Sequence, residues 1–197
     1  MTPPSEGLAA VVLAGGRSRR FGGDKLAAEI AGRTLLDHAV VDLPPGAVLS
    51  VVGPNRPLSR PATFLREDPI DGGPAAALIT GLLWALATGA EAIATLPGDA
   101  PAGGRAAAAL LTELGRQDRD AVVGVDASGR DQVLQLALRP AAARRLIELA
   151  GPDRGHDQSV RRLVTALSPG RLVLSDDESR DIDTAEQLRH FRNLRRT

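Results

Sequence analysis

Seven short apolar runs, each about the length of a β-strand, alternate with longer alanine-rich stretches, and this alternation constrains the fold more than any other property of the chain. The runs are LAAVVLA (8–14), AVLSVVG (47–53), ATFLRE (62–67), EAIATLP (91–97), DAVVGVD (120–126), VLQLALR (133–139) and RLVLS (171–175). Between them, RTLLDHAVVDL, PAAALITGLLWALATG, RAAAALLTELGRQ, PAAARRLIELAG and DQSVRRLVTAL carry apolar residues at helical spacing. Strand, helix, strand in repetition predicts a Rossmann-like three-layer α/β/α fold, with a mostly parallel sheet between two layers of helices. The 197 residues suit one domain over 1–197, large enough to bury roughly 70% of the surface that the unfolded chain exposes. With aromatics at 2% of the composition, its core must be built from Ala, Leu and Val.

Several functional classes drop out at once. The chain has no cysteine, which removes disulfides and thiolate metal sites. Basic and acidic residues balance at 24 each, so no generic basic surface for nucleic acid is expected. The longest apolar run, AAALITGLLWALATGA, is shorter than the roughly 20 apolar residues that a bilayer crossing needs. The start MTPPSEG lacks a positive region followed by an apolar one, so no secretory signal is read there and the expected address is the cytoplasm.

In open sheets of this kind ligands bind beyond the carboxyl ends of the strands, near the point where strand order reverses. That directs attention to the loops after Leu13, Val52, Leu65 and Leu96. The first is LAGGRSRRFGGDK (13–25), where Gly15, Gly16, Gly22 and Gly23 bracket Arg17, Arg19 and Arg20, and Lys25 closes the segment. Glycines let backbone amides approach phosphate oxygens, and the cations supply charge. A lone glycine-rich turn is ordinarily no more than a turn with solvated arginines. Here the preceding strand, the density of positive charge and the chain's single lysine shift the balance toward a triphosphate. The motif GxxxxGK[ST] would want glycine where Asp24 stands, and GxGxxG is not in register, so this is a different phosphate loop.

Carboxylates dominate the later loops. REDPIDGGPAAAL (66–78) places Glu67, Asp68 and Asp71 between a strand and a helix opened by Gly73 and Pro74. Helix-end chemistry accounts for Asp71; Asp68 lies close to the strand end, where a ligand is expected. In TLPGDAP (95–101), Pro97 and Pro101 restrict the backbone around Asp99 and present its carboxylate. Beside the reading of Asp99 as a turn residue stands a second, since Mg²⁺ takes one or two protein carboxylates together with phosphate oxygens and water. In RDIDTAEQL (180–188), Asp183 and Thr184 read as a helix cap with Glu186 in the first turn. His38 and His190 fall on helices as surface or boundary residues, and without an HExxH or triad pattern no histidine catalysis is expected.

At this point the residues resemble a family. LAGGRSRRFGGDK is similar to the LAGG-x-S-x-R-M-G-x-DK signature of the molybdenum cofactor guanylyltransferases, with Phe21 in place of the usual methionine. The resemblance implies the nucleotide-diphospho-sugar transferase type of α/β fold. It also implies nucleotide contacts from Leu13, Ala14, Gly15, Gly16, Arg17, Ser18, Asp68 and Asp99, with Lys25 on the phosphates. By the same resemblance Asp99 coordinates the metal and Asp183, beside its reading as a cap, is the second-choice ligand; Arg20, Lys25 and Asp99 form the catalytic set. Four further positions depart from the family. Gly53 stands where an asparagine often contacts the nucleotide, Ala77 replaces the last glycine of GPLAG, and Asp181 and Asp183 replace two asparagines, as in the cofactor cytidylyltransferases.

The implied reaction moves GMP from GTP to the terminal phosphate of molybdopterin, with Mg²⁺ as cofactor and pyrophosphate as the second product. An acceptor phosphate is already ionised near neutral pH, which suits a site without a general base. GRDQVLQLAL (129–138) and GHDQSVRRLV (155–164) correspond to the family's acceptor side, where Arg161 and Arg162 either meet the acceptor or are simply solvated. The implied partners are GTP, the pterin acceptor and, transiently, other cofactor-biosynthesis proteins, with no nucleic acid and no membrane. Transfer from CTP, transfer to a sugar phosphate, and a non-catalytic GTP sensor remain as alternatives.

Overall fold

A computed structural model of the protein describes residues 7–15 and 23–194. Its centre is a seven-stranded sheet. In chain order the first elements are β1 (Leu8–Leu13), a 3-10 turn (Lys25–Ala27), the short hairpin β2 (Glu29–Ile30) and β3 (Arg33–Thr34), then α1 (Leu35–Val40), β4 (Val48–Val52), β5 (Thr63–Leu65) and α2 (Gly73–Ala87). There follow β6 (Ala92–Pro97), α3 (Gly103–Arg116), β7 (Ala121–Val125), β8 (Asp131–Leu138), α4 (Pro140–Ala150), α5 (Val160–Thr165), β9 (Gly170–Val173) and α6 (Ala185–Leu194). The sheet order is β5-β4-β1-β6-β8-β7-β9. β1 pairs in parallel with both β4 and β6, so the chain leaves β1 to one side and returns to the other. That reversal is the switch point.

All six residues of β1 are buried, because the strand has a core on each face. Ala10 and Val12 pack with Leu35, Leu36, Leu110 and Leu114 on one side. Ala9, Val11 and Leu13 pack with Leu78, Leu82, Leu146 and Leu163 on the other. The alanine-rich helices let the layers approach closely. At Gly81 of α2 a Cβ would stand 2.1 Å from Val11 Cγ1, so only glycine fits where α2 crosses β1.

Each of the seven expected strands is present, with ends shifted by up to two residues. One strand runs against the otherwise parallel sheet. β7 and β8 are joined by a tight turn and run antiparallel, as do β6 and β8. The cause is Asp126, whose Oδ1 accepts from Ser128 N, Ser128 Oγ and Arg130 N, while Gly129 takes φ +82°; an aspartate that organises its own turn leaves no room for a crossover helix. His38 also differs from expectation. It is buried, its Nε2 lies 2.8 Å from Ile30 O, and its ring meets Phe191 edge-on. No helix among the described residues is long and apolar enough to cross a membrane.

Asp37 ties the start of α1 to the segment that follows β4. Its Oδ1 accepts from Ser59 N at 2.7 Å and its Oδ2 from Thr34 Oγ1, while Thr34 Oγ1 accepts from Asp37 N. Burial opposes the charge, but these donors outweigh it and hold the Asp37 carboxyl below its ordinary pKa. A depressed pKa stabilises the fold above the unfolded value and ceases to do so as pH falls through the folded one. Asp37→Ala is therefore expected to cost about 1–3 kcal/mol at pH 7, with the gap to wild type in urea melts closing below about pH 4.

Candidate active site

Beyond the strand ends, backbone hydrogen bonds continue the ladder and hold the loops level. Ala14 N donates to Val52 O at 2.9 Å, Gly53 N to Leu65 O at 2.8 Å, and Gly98 N to Leu13 O at 2.9 Å. The loops after β1, β4, β5 and β6 thus form one continuous rim. Gly53 is obligatory in it, since its φ is +155° and a Cβ would lie 2.5 Å from Ala14 O. An asparagine cannot occupy that position on this backbone, and Asn55, two residues on, lines the adjacent cavity instead.

Lys25 sits where three segments meet. Its Nζ donates to Asp99 Oδ2 at 2.6 Å and to Asp183 Oδ1 at 3.1 Å. The 97–102 loop and the segment before α6 are joined by Ile182 N, which donates to Asp99 O at 3.0 Å. The cap of α6 is made by Thr184 and Gln187: Gln187 Oε1 accepts from Asp183 N and Thr184 N, and Thr184 Oγ1 accepts from Gln187 N. This reciprocal box leaves the Asp183 side chain for Lys25. Burial works against the Lys25 charge, yet the two carboxylates outweigh it and raise its pKa above the ordinary value.

A third carboxylate, Asp181, keeps an exposed surface but is pushed up to about 6, by the protein packed around it and then by the charges of Asp99 and Asp183, against the pull of Lys25. The cation on which Asp99 and Asp183 converge is the Lys25 ammonium; their remaining oxygens are hard donors of the kind that Mg²⁺ takes. Among the described residues no cluster of three or more His, Cys, Asp or Glu could hold a metal ion. Phosphate oxygens and water would have to complete the shell.

Arg56 fastens both ends of the first loop. Its Nε donates to Asp24 Oδ2 at 2.8 Å and its Nη1 to Ala14 O at 3.1 Å, and its side chain is 9% exposed. The guanidinium is the main cause that holds the Asp24 carboxyl below its ordinary pKa, with burial opposing. Asp24 in turn caps the 3-10 turn that begins at Lys25, accepting from Leu26 N. Sequence reasoning passed over Arg56. The available signal was its place just beyond the Gly53-Pro54 turn at a strand end.

Two adjoining cavities open on this rim, of about 270 Å³ and 490 Å³. Gly15, Glu67 and Asp71 line both. The smaller adds Leu13, Pro97, Asp99 and Ala77, so the methyl that replaces the family's glycine belongs to its wall. Of the expected site residues, Leu13, Gly15, Lys25, Asp99 and Asp183 are brought together, and Ala14 turns its carbonyl to Arg56. Asp68 lies apart, paired with Arg154 beside an open depression that His156 and Pro152 also line. Gly16, Arg17, Ser18 and Arg20 lie outside the described residues, as do Arg19, Phe21 and Gly22.

The site sets an ammonium and two carboxylates side by side. The sequence model of a family described as the MobA-like NTP transferase domain matches residues 10–170. The molybdenum cofactor guanylyltransferase of Acidiphilium cryptum (strain JF-5) is 40% identical over 159 residues, covering 76% of this chain and 76% of the relative. Among solved structures, the molybdopterin-guanine dinucleotide biosynthesis protein A of Archaeoglobus fulgidus superposes with TM-score 0.67 at 17% identity, covering 95% of this chain and 98% of that one. Rv0371c from Mycobacterium tuberculosis H37Rv, solved in complex with manganese, superposes with TM-score 0.63 at 20% identity, covering 94% and 98%. At those identities the two structures show the shared fold alone.

Arg56→Gln is expected to lower stability by about 1 kcal/mol, since the exposed Asp24 carboxylate and the Ala14 carbonyl lose their donor. Arg56→Lys should restore less than half of that loss, because an ammonium cannot reproduce the fork. Chemical denaturation of the three proteins measures both.

Proposed function

The chain belongs to the MobA-like NTP transferase family, and on that premise we propose that it transfers GMP from GTP to the terminal phosphate of a molybdopterin-type acceptor, releasing pyrophosphate. The observation that carries this reading is the meeting of Lys25 with Asp99 and Asp183 at the switch point of the sheet, 2.6 Å and 3.1 Å from one ammonium. A GTP sensor could dispense with the metal carboxylate.

In this reading Leu13, Ala14, Gly15, Gly16, Arg17 and Ser18 contact the nucleotide, and Asp68 does so once released from Arg154. Lys25 and Arg20 carry positive charge to the triphosphate. Transfer forms a bond from an acceptor phosphate oxygen to the α-phosphorus and breaks the bond to pyrophosphate, so negative charge grows on the departing oxygens. A compact ammonium turned from Asp99 and Asp183 to those oxygens stabilises that charge. Mg²⁺, held by Asp99 and Asp183, supplies further neutralisation when bound. No side chain need remove a proton, because the attacking phosphate is ionised. The acceptor approaches over β8, where Leu134 lines the smaller cavity. The proposed setting is the cytoplasm, with transient contact to proteins that deliver the acceptor.

A pyrophosphate-release assay with molybdopterin and Mg²⁺ tests the reading. GTP should support turnover and CTP should not. Release from CTP alone would make the protein a cytidylyltransferase, a reading to which Asp181 and Asp183 give some support, and tight GTP binding without release would make it a sensor. Lys25→Ala should slow turnover by about a hundredfold or more. Asp99→Asn should raise the Mg²⁺ concentration needed for half-maximal rate, read from a metal titration.

A further inference from the structure

Strand order sets the direction in which a nucleotide must lie. Asp99 follows β6, Gly15 follows β1, and the larger cavity spreads over the ends of β4 and β5. With strands about 4.8 Å apart, the metal position and that cavity are separated by about 12 Å, the span of a nucleoside from its α-phosphate to its base. Phosphates gathered by Lys25 and Asp99 therefore leave the base over β4 and β5. There Phe64, Leu65 and Pro54 give apolar surface for its faces, and Asn55, Arg66, Glu67 and Asp71 give polar groups for its edge.

Glu67 stands out among these groups. It is half-buried, two residues beyond β5, and lines both cavities. Its neighbour Asp68 is taken by Arg154, whereas the Glu67 carboxylate has no hydrogen-bond or ion-pair partner among the described residues. An ionised carboxylate has two acceptor oxygens and no donor. Guanine presents two adjacent donors, N1–H and the 2-amino group, which match it as a bidentate pair. Cytosine and adenine each present one amino donor beside a ring nitrogen lone pair, so one oxygen would face another acceptor. We propose that Glu67 is the specificity-determining residue that reads the Watson–Crick edge of guanine. Gly53 brings no side chain to this cavity, whose polar lining is Asn55, Arg66, Glu67 and Asp71; of the two carboxylates, Asp71 already has an interaction within the protein, which leaves Glu67 for the base.

The assignment rests on the nucleotidyl-transfer reading above, and its test separates the two. Isothermal titration of GTP, CTP and ITP, which differs from GTP only in lacking the 2-amino group, is carried out with Mg²⁺ on wild type, Glu67→Ala and Glu67→Gln. Wild type should bind GTP about tenfold more tightly than ITP, for one lost charged hydrogen bond, and more tightly still than CTP. Glu67→Ala should weaken GTP by about 10- to 100-fold and bring GTP and ITP within about twofold of each other. Glu67→Gln, which keeps the shape but turns a donor toward the base, should lose GTP preference in the same way. An unchanged ratio of GTP to ITP in both variants overturns the assignment, as does an equal loss for all three nucleotides, which would mark a ribose contact. Wild type that prefers CTP also overturns it. Wild type that binds no triphosphate overturns the transferase reading and this assignment with it.

Discussion

One ammonium group holds three distant parts of the chain in register. Lys25 meets Asp99 across 74 positions and Asp183 across 158, so the loop after β1, the loop after β6 and the approach to α6 share a single electrostatic centre. The choice of lysine follows from that geometry. A compact charge can stand between two carboxylates at 2.6 Å and 3.1 Å, whereas a planar guanidinium would force them apart. In a chain that otherwise uses arginine for every basic position, the exception marks the place where the size of the cation matters.

The surrounding scaffold keeps that centre fixed. β1, buried on both faces, sets the position of Ala14, and Arg56 clamps Ala14 to Asp24, the residue before Lys25. Asp37 in turn anchors the segment that carries Arg56 through Ser59. The aim of Lys25 therefore depends on a relay of directional contacts that begins in the core of the sheet. Gly53 closes the same rim from the β4 side, where close approach to Ala14 O admits no side chain.

Strands were the most legible level, since seven apolar runs bounded by turn residues correspond to seven strands of one sheet. The antiparallel course of β8 was less accessible, because it depends on how Asp126 folds its carboxylate onto its own turn rather than on any apolar pattern. Lys25 and Asp99 were legible from composition and proline context, and Asp183 from its resemblance to a family position. Burial of His38 against Phe191 was not, as contacts across 153 positions leave no periodic trace. Arg56 escaped notice, and Glu67 was visible only as one of three loop carboxylates, for a related reason. Each acts by where its strand end lies in the sheet, and strand order is not written in local spacing.

Anomalous diffraction from a crystal grown with Mn²⁺ and a non-hydrolysable GTP analogue tests the central claim most directly. The account predicts a manganese peak between Asp99 and Asp183, with the phosphates on Gly15 and Lys25. A peak elsewhere, or a triphosphate seated away from Lys25, would contradict it.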